Sequence, residues 1–180
     1  MISDFVKGKK KNTYPVNIQR GILLHRLIDR FTDIHEATKE AKLIFQPKYR
    51  LYSGAFVDVV YDYYLANDAS YFTENSLFQF SQEVYQSIDT YEKWLEPKFA
   101  SFYPYMKKQN WLYAYRTPVG IQKSMAGLAR RAKYIDDSQP AFQLFEKNNQ
   151  LLEDCSRHFL ADVVPFAFKK LTDLLEQESF

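Results

Sequence analysis

Apolar positions along the chain fall three and four residues apart, the spacing that lays one stripe along a helix. After Pro15, a residue suited to a first helical turn, Val16, Ile18, Ile22, Leu23, Leu27, Ile28 and Phe31 keep this rhythm and predict a helix over roughly 15–45. The alternation of a half-buried strand is missing from Arg20 to Arg26. A second helix is expected after Pro47, carrying Leu51, Ala55, Phe56, Val59, Tyr63 and Leu65 and ending near Asn67. Gly54 and the β-branched residues weaken its propensity. Thr73 or Asn75 can cap a third helix over about 76–102, with Leu77, Phe80, Val84, Ile88, Tyr91 and Leu95 on one stripe and Pro97 interrupting or kinking it. Pro104 opens a short helix through Trp111 and Tyr115, and Pro118 opens another that closes near Tyr134. The last runs from Pro140 to about Leu175, with a kink predicted at Pro165. The expected fold is all-α: a single-domain helical bundle of about six helices, without repeat, linker or hairpin signal.

A chain of 180 residues with 46% hydrophobic and 26% charged residues has the size and balance of one globular domain. The 14 tyrosines and 15 phenylalanines say that large rings build its interior. A net charge of +2 is too small to drive nucleic-acid binding by counterion release, so no nucleic-acid partner is expected. No apolar run approaches the roughly 18 residues of a membrane span, and Met1 to Lys11 lack a signal-peptide core. A cytoplasmic protein with no membrane partner is expected. Cys155, the single cysteine, excludes an intrachain disulfide and reads as a small core residue. No sequence feature sets an oligomeric state.

The chemistry concentrates in two rows of polar residues four apart. On a helix His25, Asp29 and Asp33 stack on one face, a nitrogen and oxygen donor set suited to borderline divalent metals, although such a row more often forms local ion pairs, here with Arg26 and Arg30. Asp58 and Asp62 lie four apart within the apolar Gly54–Leu65 run, where something must compensate their charge. A metal, the guanidinium of Arg26 or Arg30, or helix termini would serve. Asp4 is either a ligand or a helix cap. Arg130, Arg131 and Lys133 suit a phosphate or an acidic protein surface, or form a solvated helix end. Lys7, Lys9, Lys10 and Lys11 read as a solvated loop or a second docking patch. Phosphate-binding glycine loops, nucleophile elbows and zinc-protease motifs are missing.

The string Asp4-Phe5-Val6-Lys7-Gly8, followed by Gly21 to Arg26, Ile28-Asp29, Phe31-Thr32-Asp33 and His35, resembles the acyl carrier protein phosphodiesterases. Similar blocks stand at Tyr52 to Asp58, Tyr61-Asp62, Leu65-Ala66, Asn110 to Leu112 and Gly127 to Arg131, so the resemblance covers nearly the whole chain. It implies a cytoplasmic helical hydrolase, related to the HD-type metal phosphohydrolases, that removes 4′-phosphopantetheine from the serine of holo-acyl carrier protein. Mn²⁺ or Mg²⁺ is the implied cofactor and acyl carrier protein the implied partner. Carried over by position, Asp4, His25, Asp29 and Asp62 are the implied metal ligands, and Asp29, Asp33 and His35 the implied catalytic groups. Asp58 and Tyr63 stand beside them, and Arg130, Arg131 and Lys133 are the expected docking surface for an acidic carrier protein. Two positions depart from the family pattern. Tyr63 replaces the usual histidine, and a phenol with a pKa near 10 is a poor neutral-pH ligand. Met1 falls inside the family's Gly-Asn-x-Ile-x-Asp-Phe-Val-x-Gly block, so a preceding Leu-Ala-His helix is expected to be missing. The alternative these departures suggest is an impaired member that binds carrier protein or another phosphoester without turnover.

Overall fold

In a computed structural model, the structure describes Val6 and residues 8–176, and among these every regular element is helical. Helix α1 spans Val16–Ile34 and α2 spans Glu36–Tyr49. The single helix predicted over 15–45 is therefore two. His35 divides them with φ −66° and ψ 135°, its N–H returning to the carbonyls of Phe31 and Thr32. Pro47 does not start the next helix but sits in the last turn of α2. Arg50 (φ 46°, ψ −117°) then turns the chain into a short 3-10 segment, Arg50–Tyr52, and α3 spans Ser53–Asn67.

Thr73 caps α4 (Glu74–Thr90): its side chain accepts from the Ser76 N–H while the Ser76 hydroxyl meets the Thr73 N–H. Pro97 starts α5 (Pro97–Lys108) rather than interrupting a longer helix, and Pro104 lies inside it. Asn110, in the left-handed region at φ 45°, caps the four-residue α6 (Trp111–Ala114), and Thr117 caps α7 (Pro118–Arg131). The final predicted helix is also two, α8 (Gln139–Lys147) and α9 (Asn149–Glu176), with Asn148 between them and Pro165 inside α9.

Helix α3 lies at the centre, against α2, α7 and α9. Phe56, Val57, Val59, Val60 and Tyr61 bury most of its circumference, joining Phe45, Ile121, Met125, Leu152 and Cys155 in the main core. Each large apolar side chain buried there is worth about 1.5–3 kcal/mol. Burial pushes the Cys155 thiol up to about 11. A second cluster of Tyr85, Phe99, Tyr103 and Met106 joins α4 to α5. A third, with Val6, Tyr14 and Ile22 against Trp94, ties the start of α1 to the α4–α5 connection, where the Tyr14 hydroxyl donates to buried Glu96. At the α6–α7 corner Gly120 is obligatory: a Cβ there would stand 1.9 Å from the Ala114 carbonyl oxygen. What burial leaves open on α3 is the stripe holding Asp58 and Asp62.

Candidate functional site

The α1 row divides into two pairs. His25 Nδ1 lies 2.9 Å from Asp29 Oδ2, a contact in which the ring N–H donates to the carboxylate and turns Nε2 away from it. One turn on, Asp33 accepts from Lys42 Nζ of α2 at 2.9 Å. Arg26, one of the partners considered for these acids, instead donates to the Val6 carbonyl at 2.6 Å.

Asp33 and Asp58 share a cavity of about 540 Å³, lined also by Lys42, Gln46, Arg50 and Gly54. The acidic ends of the α1 and α3 rows are thus brought together. Asp62 keeps an exposed edge, yet burial by the protein around it, followed by the charge of Asp58, pushes its carboxyl from the ordinary 3.8 up to about 7. Tyr115, just past α6, is held within electrostatic range of both Asp62 and Arg131. Burial first, and then Asp62, push its hydroxyl well above the usual phenol value, against a hydrogen bond with Ser124 and the Arg131 charge.

Other expected residues point elsewhere. His35 Nε2 meets Asp162 of α9 at 3.1 Å, with its ring against Phe31 and Phe159 and its Nδ1 buried without a hydrogen-bond partner. It and Asp33 thus engage different neighbours. Tyr63 packs edge-on against Phe145 of α8 and Tyr64, at ring distances of 5.3 and 5.2 Å. Arg130, Arg131 and Lys133 are exposed at the end of α7, Lys133 lying 5.2 Å over the Tyr134 ring. Asp4 and Lys7 lie outside the described residues, as do the side chains of Lys9 and Lys10. A second, mostly apolar cleft of about 500 Å³ runs between α1 and α4, lined by Ile18, Ile22, Phe80 and Ile88, and includes His25.

Lys42 and Tyr115 are the site residues that spacing does not announce, since Lys42 meets Asp33, and Tyr115 comes within electrostatic range of Asp62, only through the packing of separate segments. The donor types of His25, Asp29 and Asp62 fit a borderline divalent cation. Their number is incomplete: among the described residues no three His, Cys, Asp or Glu side chains converge closely enough to hold one.

Comparison with known proteins gives a consistent result. Residues 1–163 match the family described as acyl carrier protein phosphodiesterase. A protein of that name from Yersinia pestis is 30% identical over 155 residues, 86% of this chain and 80% of its own length. One from Enterobacter sp. (strain 638) is 29% identical over 154 residues, covering 85% and 80%. One from Klebsiella pneumoniae (strain 342) is 28% identical over 171 residues, covering 94% and 89%. No solved structure matches the chain.

Proposed function

The chain belongs to the acyl carrier protein phosphodiesterase family, and on that premise we propose that it hydrolyses the phosphodiester joining 4′-phosphopantetheine to the serine of holo-acyl carrier protein. The observation that carries this reading is the family match over residues 1–163, within which Asp62 is an accessible carboxyl pushed up to about 7. A carboxyl there both takes and gives protons at neutral pH. Water attacks phosphorus, the bond from phosphorus to the serine oxygen breaks, and Asp62 takes the proton the water loses and returns it to the departing serine oxygen. His25, oriented by Asp29, presents Nε2 as an acceptor or ligand.

A divalent cation, Mn²⁺ or Mg²⁺, is part of the proposal, with His25 and Asp29 among its ligands and Asp4 as a further donor; Asp62, a ligand by position in the family pattern, serves here as the proton carrier instead. When bound, such an ion supplies charge neutralisation at the phosphodiester and acidifies water. Asp33 and His35, implied as catalytic by the resemblance, join Asp58 as supporting groups in this proposal, Asp33 and Asp58 through the cavity they line and His35 by fastening the α1–α2 junction to α9. Carrier protein docks on the exposed Arg130, Arg131 and Lys133, whose charges complement an acidic partner.

One observation favours a second reading, binding of carrier protein or another phosphoester without turnover: three metal donors do not converge among the described residues. Mass spectrometry of holo-carrier protein incubated with the chain and Mn²⁺ separates the two. Loss of the prosthetic group is expected, slowed on the order of 10²–10⁴-fold in Asp62→Asn. Intact holo-carrier protein despite measurable binding would establish the second reading instead.

A further inference from the structure

We propose that the cavity between α2 and the start of α3 is a phosphate subsite whose cations are Lys42 and Arg50. The phosphodiesterase reading bears only on where the phosphate comes from. Lys42 carries three N–H donors and Asp33 takes one of them, at 2.9 Å. Its side chain is only 24% exposed, so an anion reaching the ammonium there meets less solvent screening than on an open surface.

Gly54 gives this placement room. A Cβ at that position would stand 3.1 Å from Lys42 Cε and 3.6 Å from Nζ. Without one, the lysine stem lies across the first turn of α3 and delivers its charge to the cavity. Arg50 lines the same cavity from a backbone conformation, φ 46° and ψ −117°, that side-chain-bearing residues rarely adopt. Its guanidinium supplies a planar fork that pairs two phosphate oxygens.

The charges of Lys42 and Arg50 balance those of Asp33 and Asp58, so net attraction does not bring phosphate in. The phosphate must share or replace Asp33 as the partner of Lys42. Removing the Asp33 charge should then tighten binding, whereas removing either cation should weaken it. A volume of about 540 Å³ also leaves room beyond a phosphate for part of an attached organic arm.

The test is calorimetric titration of the full chain, without added metal and at fixed ionic strength, with inorganic phosphate and separately with 4′-phosphopantetheine. Lys42→Met and Arg50→Gln should each weaken phosphate binding at least about tenfold, and Lys42→Arg should largely preserve it. Asp33→Asn should tighten it. Circular dichroism checks that each variant is folded, and the exposed Arg50 provides an independent variant should the lysine change disturb packing. Tighter binding of 4′-phosphopantetheine than of phosphate, with the same dependence on Lys42, identifies the prosthetic group as the source; equal affinities identify free phosphate. Phosphate affinity that is immeasurable in the native chain, or unaltered by both Lys42→Met and Arg50→Gln, overturns the subsite. A chain that binds phosphate through Lys42 but leaves holo-carrier protein intact retains the subsite and refutes only the enzymatic reading.

Discussion

Asp62 weakens the folded state wherever it is ionised, because its carboxyl titrates near 7 in the fold instead of at the ordinary 3.8. Between those values the folded protein holds a proton the unfolded chain has released, so this residue's contribution to stability falls as pH rises through the window and stays lost above it. Its exposed edge lets solvent screen the effect, making the loss smaller than the shift implies. Asp62→Asn should gain in Tm relative to the native chain as pH rises from about 4 to 7, and hold that gain at higher pH, while turnover falls. Calorimetric melts across this range decide it, and a Tm difference independent of pH would refute the assignment. The rows to which Asp62 and His25 belong are legible in the sequence because helical neighbours four apart are local. The Lys42–Asp33 pair is not, since it depends on how α2 folds back from α1.

The turn that creates that pair illustrates what is hidden at the scale of elements. His35 ends α1 in an extended conformation without a glycine or proline to announce it, and packing against Phe159 and Asp162 of α9 fixes the break. Prolines read both ways: Pro118 begins a helix and Pro165 lies inside the last one as expected, whereas Pro47 and Pro104 lie inside helices instead of preceding or opening them, and Pro97 begins one instead of interrupting it. The amphipathic stripes and the all-helical character are readable throughout, because they follow from burial alone; the divisions at His35 and Asn148 depend on partners distant in sequence. At the α6–α7 corner the backbone of one helix occupies the space of a side chain on the next. Gly120→Ala should destabilise the protein by roughly 1–3 kcal/mol or more, since the Ala114 carbonyl cannot yield like a flexible side chain. Urea unfolding measures this, and a midpoint matching that of the native chain would show that the corner can open.

Across the molecule, the α4–α5 pair has its own apolar cluster and is fastened to the rest through α6 and through the Tyr14–Glu96 hydrogen bond. Burial and the Glu96 carboxylate push the Tyr14 hydroxyl up to about 12, so it remains a donor across the physiological range. Tyr14→Phe should cost about 1.5–3 kcal/mol, the range of a hydrogen bond to a charged group. Amide exchange should accelerate in α5 before it does in α3; uniform acceleration would mean that the two clusters open as one. The main core holds a different opportunity in Cys155, 3% exposed and with its thiol near 11. Alkylation needs a thiolate that reagent can reach, so native labelling should be slow and should follow opening of the core. An Asp136→Cys variant would consequently accept a dye beside the exposed end of α7 while the interior thiol stays unmodified. The native protein therefore brings its own internal clock for unfolding, and a fluorescent reporter of carrier-protein docking can be installed without first removing its cysteine.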